Sequence, residues 1–509
     1  MELIYAIKNV KYTIGMYVIN NVLKFILRSV FIITLSVEYL GLNSLLSDVV
    51  MLLSVTELGI GSAIAYSLYK PLSSGDNQTV KAIMQLLKRV YYYIGIIILL
   101  IGVSITPFLD YYIKDNTIEN LKYFYLFFLF ANALSYFFSY KWILLTADQK
   151  EYIVNYYHSI FLIILTILQI IFLFLFKSYW SFVILMLFVK VFEYNYISSK
   201  ANKLYPFLND KSQDILPLGI KNNIIKNTRA LMVNKFSILI GTSSFSIIAS
   251  KYIGLEVVGL YGNYALILGA AATFCVQVFK TLTSFIGSML INNNVKQNLK
   301  IFNILFYASA WLGAIIFNFL SVGLNEFVIL WLGLDMQLEY SVIILMLLNF
   351  YLIYMQNTVT LFKEGAGLYW QERFRPILES ISNICLSLFL VRIYGILGII
   401  LGNVLSRLLT SFWIEPYILF KNAIDVPFFN YLKQYFEYTV LIFVTASINV
   451  YITDSLFQNV SIMTFIIKII LSFIITNVLW LVIFGRRKEM RYLISFIKSR
   501  LDLKIADKM

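Results

Sequence analysis

Histidine is nearly absent from this sequence: there is one, His158, in 509 residues. Cysteine occurs twice, at Cys275 and Cys385, and neither has a metal-ligand neighbour or an evident partner. This argues against a metal centre and a disulfide framework, and both thiols read as small core residues. His158 reads as an interfacial ring at the end of an apolar segment. Charge is also scarce. Asp, Glu, Lys and Arg make up 13% of the chain, against about 25% in a soluble domain. Period-two alternation is missing as well, so strands are not expected.

What fills the chain is apolar. Hydrophobic residues make up 60%, the mean hydropathy is +0.79, and runs of about 20 such residues recur from end to end. The sequence therefore reads as an all-α polytopic membrane protein. Fourteen transmembrane helices are expected, at roughly 12–36, 43–69, 90–113, 122–146, 152–176, 180–200, 228–250, 261–289, 301–324, 340–362, 376–394, 397–419, 433–452 and 460–485. Lys8 and Lys11 precede the first, and no small-residue cleavage site follows, so that segment is expected to stay as a helix.

Charge placement sets the expected orientation. With both termini cytoplasmic, 28 Lys and Arg fall inside and 5 outside, which satisfies the positive-inside rule. The same asymmetry accounts for most of the net charge of +14, so nucleic acid is not an expected partner. The basic tail from Arg486 has Met490, Leu493, Ile494, Ile497 and Leu501 on one helical face, as a helix lying on anionic lipid would.

The chain divides after six spans. Residues 201–227 form the longest inner loop, interrupted by Pro206 and Pro217. The reading is an N-lobe over 1–200, a linker over 201–227, a C-lobe over 228–420, two further helices over 421–485 and the tail over 486–509. A short internal repeat agrees: "EYLGL" at 38–42 and "KYIGL" at 251–255 lie 213 residues apart, an offset that also places Asn21 on Asn234. Two six-helix lobes related in parallel are a known transporter plan.

Eight cations fall at membrane depth: Lys24, Arg28, Lys141, Lys190, Lys235, Lys280, Arg407 and Lys468. Together they cost about 20 kcal/mol or more on the insertion scale. Such residues pair, line water or mark a path. Lys141 and Lys468 are expected to snorkel, and Lys190 with Glu193, at i and i+3, to form a structural pair. Lys24 and Arg28 share one face with Asn20, and two cations on one face repel. Thr228, Lys235 and Thr242 repeat every seven residues, and Thr273, Gln277, Lys280 and Ser284 make a polar edge. Polar faces on the opening helices of both halves suggest a cationic cavity for an anionic cargo, with Lys24, Arg28, Lys235, Lys280 and Arg407 as its binding residues. Glu57 and Glu193 are two carboxylates at depth, each read as a counter-charge or a coupling site. For Glu57, which shares a side with Ser54 and Gly61, the counter-charge is favoured, because cations outnumber carboxylates there.

Three stretches carry a family resemblance: "ELGIGSAIAYSLYKPLSSGD" (57–76), "KYIGLEVVGLYGNYALI" (251–267) and "GAGLYWQERFRPILESISNICLSLFLVRIYGILGIILGNVLSRL" (365–408). In a 14-span frame they resemble the polysaccharide (Wzx-type) flippases of the multidrug/oligosaccharidyl-lipid/polysaccharide exporter superfamily. The resemblance implies a MATE-like fold of two six-helix lobes. It also implies alternating access, a cargo of oligosaccharide repeat units on undecaprenyl pyrophosphate, and turnover driven by a proton or sodium gradient with no bound cofactor. The setting would be the bacterial inner membrane. Polysaccharide polymerase and chain-length machinery would be partners beside the lipid bilayer and the lipid-linked oligosaccharide. Two rival functions are a cation-coupled drug exporter, which would want an acidic cavity, and a membrane polymerase or glycosyltransferase, which would want a larger outer loop.

Overall fold

The computed structural model describes residues 19–54, 60–114, 118–148, 150–210, 243–280 and 295–495, with isolated positions at 216–232 and 286–290. Among these residues the structure is helical, with no strand. Eleven helices are long and apolar enough to cross a membrane. The other three expected spans, at 12–36, 43–69 and 228–250, fall on segments of which only part is described. The chain is a multi-pass membrane protein.

The first half opens with α1 (19–34), α2 (Val37–Leu53), α3 (Ile60–Ser73) and α4 (Asn77–Ile105). The second of these starts before the expected span, because the chain breaks at 35–36 and Ser36 turns extended before Val37. The fourth starts at Asn77 because the Asp76 carboxylate accepts from the Thr79 amide at 3.0 Å, satisfying a donor the helix start leaves open. Lys81, Lys88 and Arg89, expected in a loop, therefore lie on a helix.

Next come α5 (Leu121–Ala147), α6 (Glu151–Phe176), α7 (Tyr179–Leu204) and α8 (243–252). The hub is α5, which packs against α2, α3, α4, α6 and α7. Its buried Tyr125 hydroxyl donates to the Gly102 carbonyl at 3.0 Å. At one end of α5 the Asp148 carboxylate takes bonds from Lys150 and Tyr205, both at 2.6 Å. Burial pushes that carboxyl up, and the two bonds outweigh it and hold it below the ordinary carboxylate range.

The second half contains α9 (Leu255–Lys280), α10 (Val295–Leu332), α11 (Tyr340–Met355), α12 (Asn357–Gly365), α13 (Arg375–Tyr394) and α14 (Ile396–Leu409). It ends with α15 (Ser411–Leu419), α16 (Phe429–Leu456), α17 (Ile462–Phe484) and α18 (488–495). Here α10 is the hub. A polar seam ties it to α16 and α17. Asn318 donates to Thr445 at 3.2 Å, and Asn449 donates to Asn318 at 2.8 Å and to Thr476 at 3.2 Å. The buried Trp480 indole donates to the Tyr307 hydroxyl at 3.0 Å. Interhelical bonds of this kind are the usual glue where lipid removes the hydrophobic drive. The two helices read from sequence as an addition thus pack into the core of this half.

Two compact units result, Met1–Gly259 and Leu260–Met509. The division falls after the expected linker because α8 is bonded into the first unit. The Lys114 amide donates to the Ser250 carbonyl at 3.0 Å, and the Ser250 hydroxyl donates to the Tyr112 carbonyl at 2.9 Å. Cys275 is buried, as expected, but Cys385 is exposed on α13. Of the amphipathic tail face, Met490 is buried and Ile494 is exposed; Ile497 and Leu501 lie outside the described residues.

Candidate functional site

The expected cavity residues divide among several settings. On α1, Lys24 is exposed, while Arg28 donates from Nη2 to the Gly259 carbonyl at 3.0 Å. Asn20 on the same stripe reaches Ser159 of α6 at 3.4 Å. Glu57 and Lys235 lie outside the described residues, and so does the side chain of Lys280, whose backbone ends α9. Arg407 is ion-paired to Glu379 at 3.3 Å.

Glu193 is buried and pairs with His158 Nδ1 at 2.6 Å. The expected partner, Lys190, lies only within electrostatic reach of it, because α6 brings the imidazole directly across α7. His158 is therefore more than an interfacial ring. Lys141 does not snorkel freely either: its Nζ donates to Ser198 Oγ at 2.9 Å. Lys468, also expected to snorkel, is 3% exposed. It is paired to Glu326 of α10 and lies 3.3 Å from Asp454. Burial within the bundle takes most of its surface from water, and carboxylates take that place.

Two charge clusters emerge that the sequence does not announce. In the second unit, residues from α12, α13, α14, α15 and the intervening turn form a buried network. Lys363 pairs with Glu372 and with Glu415, the latter at 2.9 Å. Arg375 bonds Glu372 at 2.5 Å, Glu379 at 2.6 Å and Glu415 at 3.2 Å. Ser411 donates to Glu379 at 2.5 Å, and Arg407 closes the chain. Three cations meet three carboxylates, so the cluster is neutral. Burial and the neighbouring Glu415 push the Glu372 carboxyl above its ordinary range, against the pull of Arg375 and Lys363. Such a network holds a shape, and it leaves no net charge for an anion.

The first unit has the opposite balance. A cavity of about 610 Å³ is lined by Lys81, Lys88, Arg89 and Lys141, with Asp210 the one carboxylate among the described residues of its wall. Among carboxylates inside helices, Asp48 on α2 has Ser246 of α8 beside it. An acid within an apolar helix was the signal that could have identified it from sequence.

No family model matches the chain, and no curated protein does. Solved structures do. The lipid II flippase MurJ, in an inward closed conformation, aligns with a TM-score of 0.64 at 13% identity over 93% of this chain and 99% of that one. An inward-facing multidrug resistance MATE family transporter of the MOP superfamily gives 0.63 at 13% identity over 79% and 96%. The Vibrio cholerae MATE transporter VcmN gives 0.56 at 13% identity over 83% and 98%. At such identities the likeness is one of fold: the chain has the all-helical fold of the MATE and MurJ structures.

Proposed function

We propose that this protein is a flippase that moves undecaprenyl-pyrophosphate-linked oligosaccharide repeat units from the cytoplasmic to the outer leaflet of a bacterial inner membrane. Both termini face the cytoplasm, and its two units alternate access to the cargo. The observation that carries the reading is the cationic stripe of Lys24 and Arg28 on α1, in an apolar segment where charge is costly. Several Lys and Arg suit a pyrophosphate. The fold supports the reading, since it is shared with the lipid II flippase MurJ. Polysaccharide polymerase and chain-length machinery would then act on the product.

Lys24→Ala/Arg28→Ala should impair surface polysaccharide assembly with protein abundance unchanged. Arg28→Lys should retain more function than Arg28→Ala. Full export by the double variant would overturn the proposal. Glu57 serves as the counter-charge of this reading. Glu57→Gln should then slow transport in proteoliposomes and leave its response to a proton or sodium gradient intact. Normal cargo binding with loss of the gradient response would make Glu57 the coupling site.

A second reading, a small-molecule exporter, is favoured by the multidrug resistance MATE family transporter that shares the fold. Drug resistance conferred on a sensitive host, with surface polysaccharide untouched by deletion, would select it.

A further inference from the structure

The cationic cavity of the first unit lies where α4, α5 and α7 converge, and it is not among the residues of the proposed cargo stripe. Lys81 is 5% exposed and bonded to Asp210 at 2.7 Å. Both residues of that pair line the cavity. Lys141 enters from α5, held by Ser198, close enough to Lys88 for the two charges to repel. Lys88 and Arg89 are exposed, and neither has a carboxylate within 4 Å among the described residues. Among the described residues that line the cavity, four cations against one carboxylate leave a net charge of +3.

Positive charge at the inner face of a membrane protein is ordinary, but it is normally dispersed and solvated. Here it converges from two helices into a walled space. The space is also elongated. Its lining runs along α4 from Lys81 to Tyr93, about 18 Å at 1.5 Å per residue. The far end is therefore in the apolar stretch of the helix, where Tyr92 and Tyr93 are 54% and 64% exposed. A soluble anion would use only the charged end. An amphiphile with phosphate at one end and hydrocarbon at the other would use both. The volume lies within the range of small-molecule sites, about 300–1,000 Å³, and exceeds what one phosphate group fills.

We infer that this cavity is a binding site for the phosphate headgroup of a membrane amphiphile, with Lys88, Arg89 and Lys141 on the phosphate oxygens and Tyr92 and Tyr93 beside the chain. Two sources offer that chemistry: an anionic phospholipid and a polyprenyl diphosphate. The site does not depend on which cargo the protein moves.

The test uses the full chain, purified in neutral detergent and titrated by native mass spectrometry with phosphatidylglycerol, undecaprenyl diphosphate and, as neutral control, phosphatidylcholine. Lys88→Gln/Arg89→Gln removes two exposed charges, at about fivefold per charge near a surface. The expected result is an affinity about 20-fold weaker for whichever anionic amphiphile binds, with phosphatidylcholine unaffected. Lys421→Gln, an exposed cation in the second unit, should change nothing. Preference for phosphatidylglycerol assigns the site to bulk lipid, and preference for undecaprenyl diphosphate assigns it to the polyprenyl carrier. Equal binding by wild type and double variant, or an equal loss in Lys421→Gln, overturns the proposal. If the double variant does not fold, the single variants are read in the same way, each with an affinity about fivefold weaker.

Discussion

Gly41 lies against the backbone of Leu255: a Cβ on Gly41 would stand 1.9 Å from the Leu255 carbonyl oxygen. The relation is returned at Gly259, where a Cβ would stand 2.2 Å from the carbonyl oxygen of Val37. The first turns of α2 and α9 thus cross backbone to backbone, and the two copies of the short repeat, "EYLGL" and "KYIGL", meet there. Small residues at helix crossings are what permit such an approach in membranes. Gly41→Ala should lower stability by about 1–3 kcal/mol through overpacking, toward the upper end because a carbonyl on a helix cannot turn aside. Gly269→Ala, with nothing within 4 Å of the added carbon, is the control. Thermal midpoints in detergent decide; equal midpoints for the two variants would contradict the close crossing.

Glu415 is 3% exposed and sits between Lys363 and Arg375. Glu415→Gln leaves both cations short of a buried counter-charge. Removing one member of a buried ionic group costs about 3–5 kcal/mol, so the variant should unfold at clearly lower denaturant. Glu364→Gln, an exposed acid on the same helix as Lys363, should be neutral by the same measurement.

Lys468 and Glu326 make a pair that can be replaced as a unit. Lys468→Met alone strands Glu326, whose Oε2 already lacks a partner among the described residues. A loss of about 3–5 kcal/mol is expected. Lys468→Met/Glu326→Leu should recover most of it, since an apolar pair is often as stable as a buried ionic one. A double-mutant cycle gives the coupling, and purely additive losses would show that the two residues do not act together.

Orientation follows from charge and is checked by reporters. A fusion after Gly75, just ahead of α4, should report cytoplasm. Fusions at Asp335, in the 3₁₀ turn Leu334–Met336, and near Asp454, at the end of α16, should report the outside. Both turns flank long apolar helices, so a cytoplasmic signal at Asp335 would require the second unit to be inverted.

Much of the fold was open to reading in the sequence. Apolar runs of about 20 residues have one solution in lipid, because a backbone without water must bond to itself within each segment. Span number and approximate place follow from that local constraint. So does the excess of Lys and Arg on one side, which depends only on where the spans end. The stretch 365–408 stood out by resemblance, and it supplies most of the buried network around Arg375.

Which charge meets which was decided elsewhere. His158 and Glu193 are 35 positions apart, Lys363 and Glu415 are 52 apart, and Glu326 and Lys468 are 142 apart. No periodicity along one helix encodes such a pair. The start of α4 was likewise a matter of one cap at Asp76, which moved three cations from a loop onto a helix wall. By itself the sequence placed eight cations within the expected spans, where charge calls for compensation. The tertiary structure chose the partners, because compensation in a medium without water is a contact between side chains, and contacts belong to packed helices rather than to any one of them.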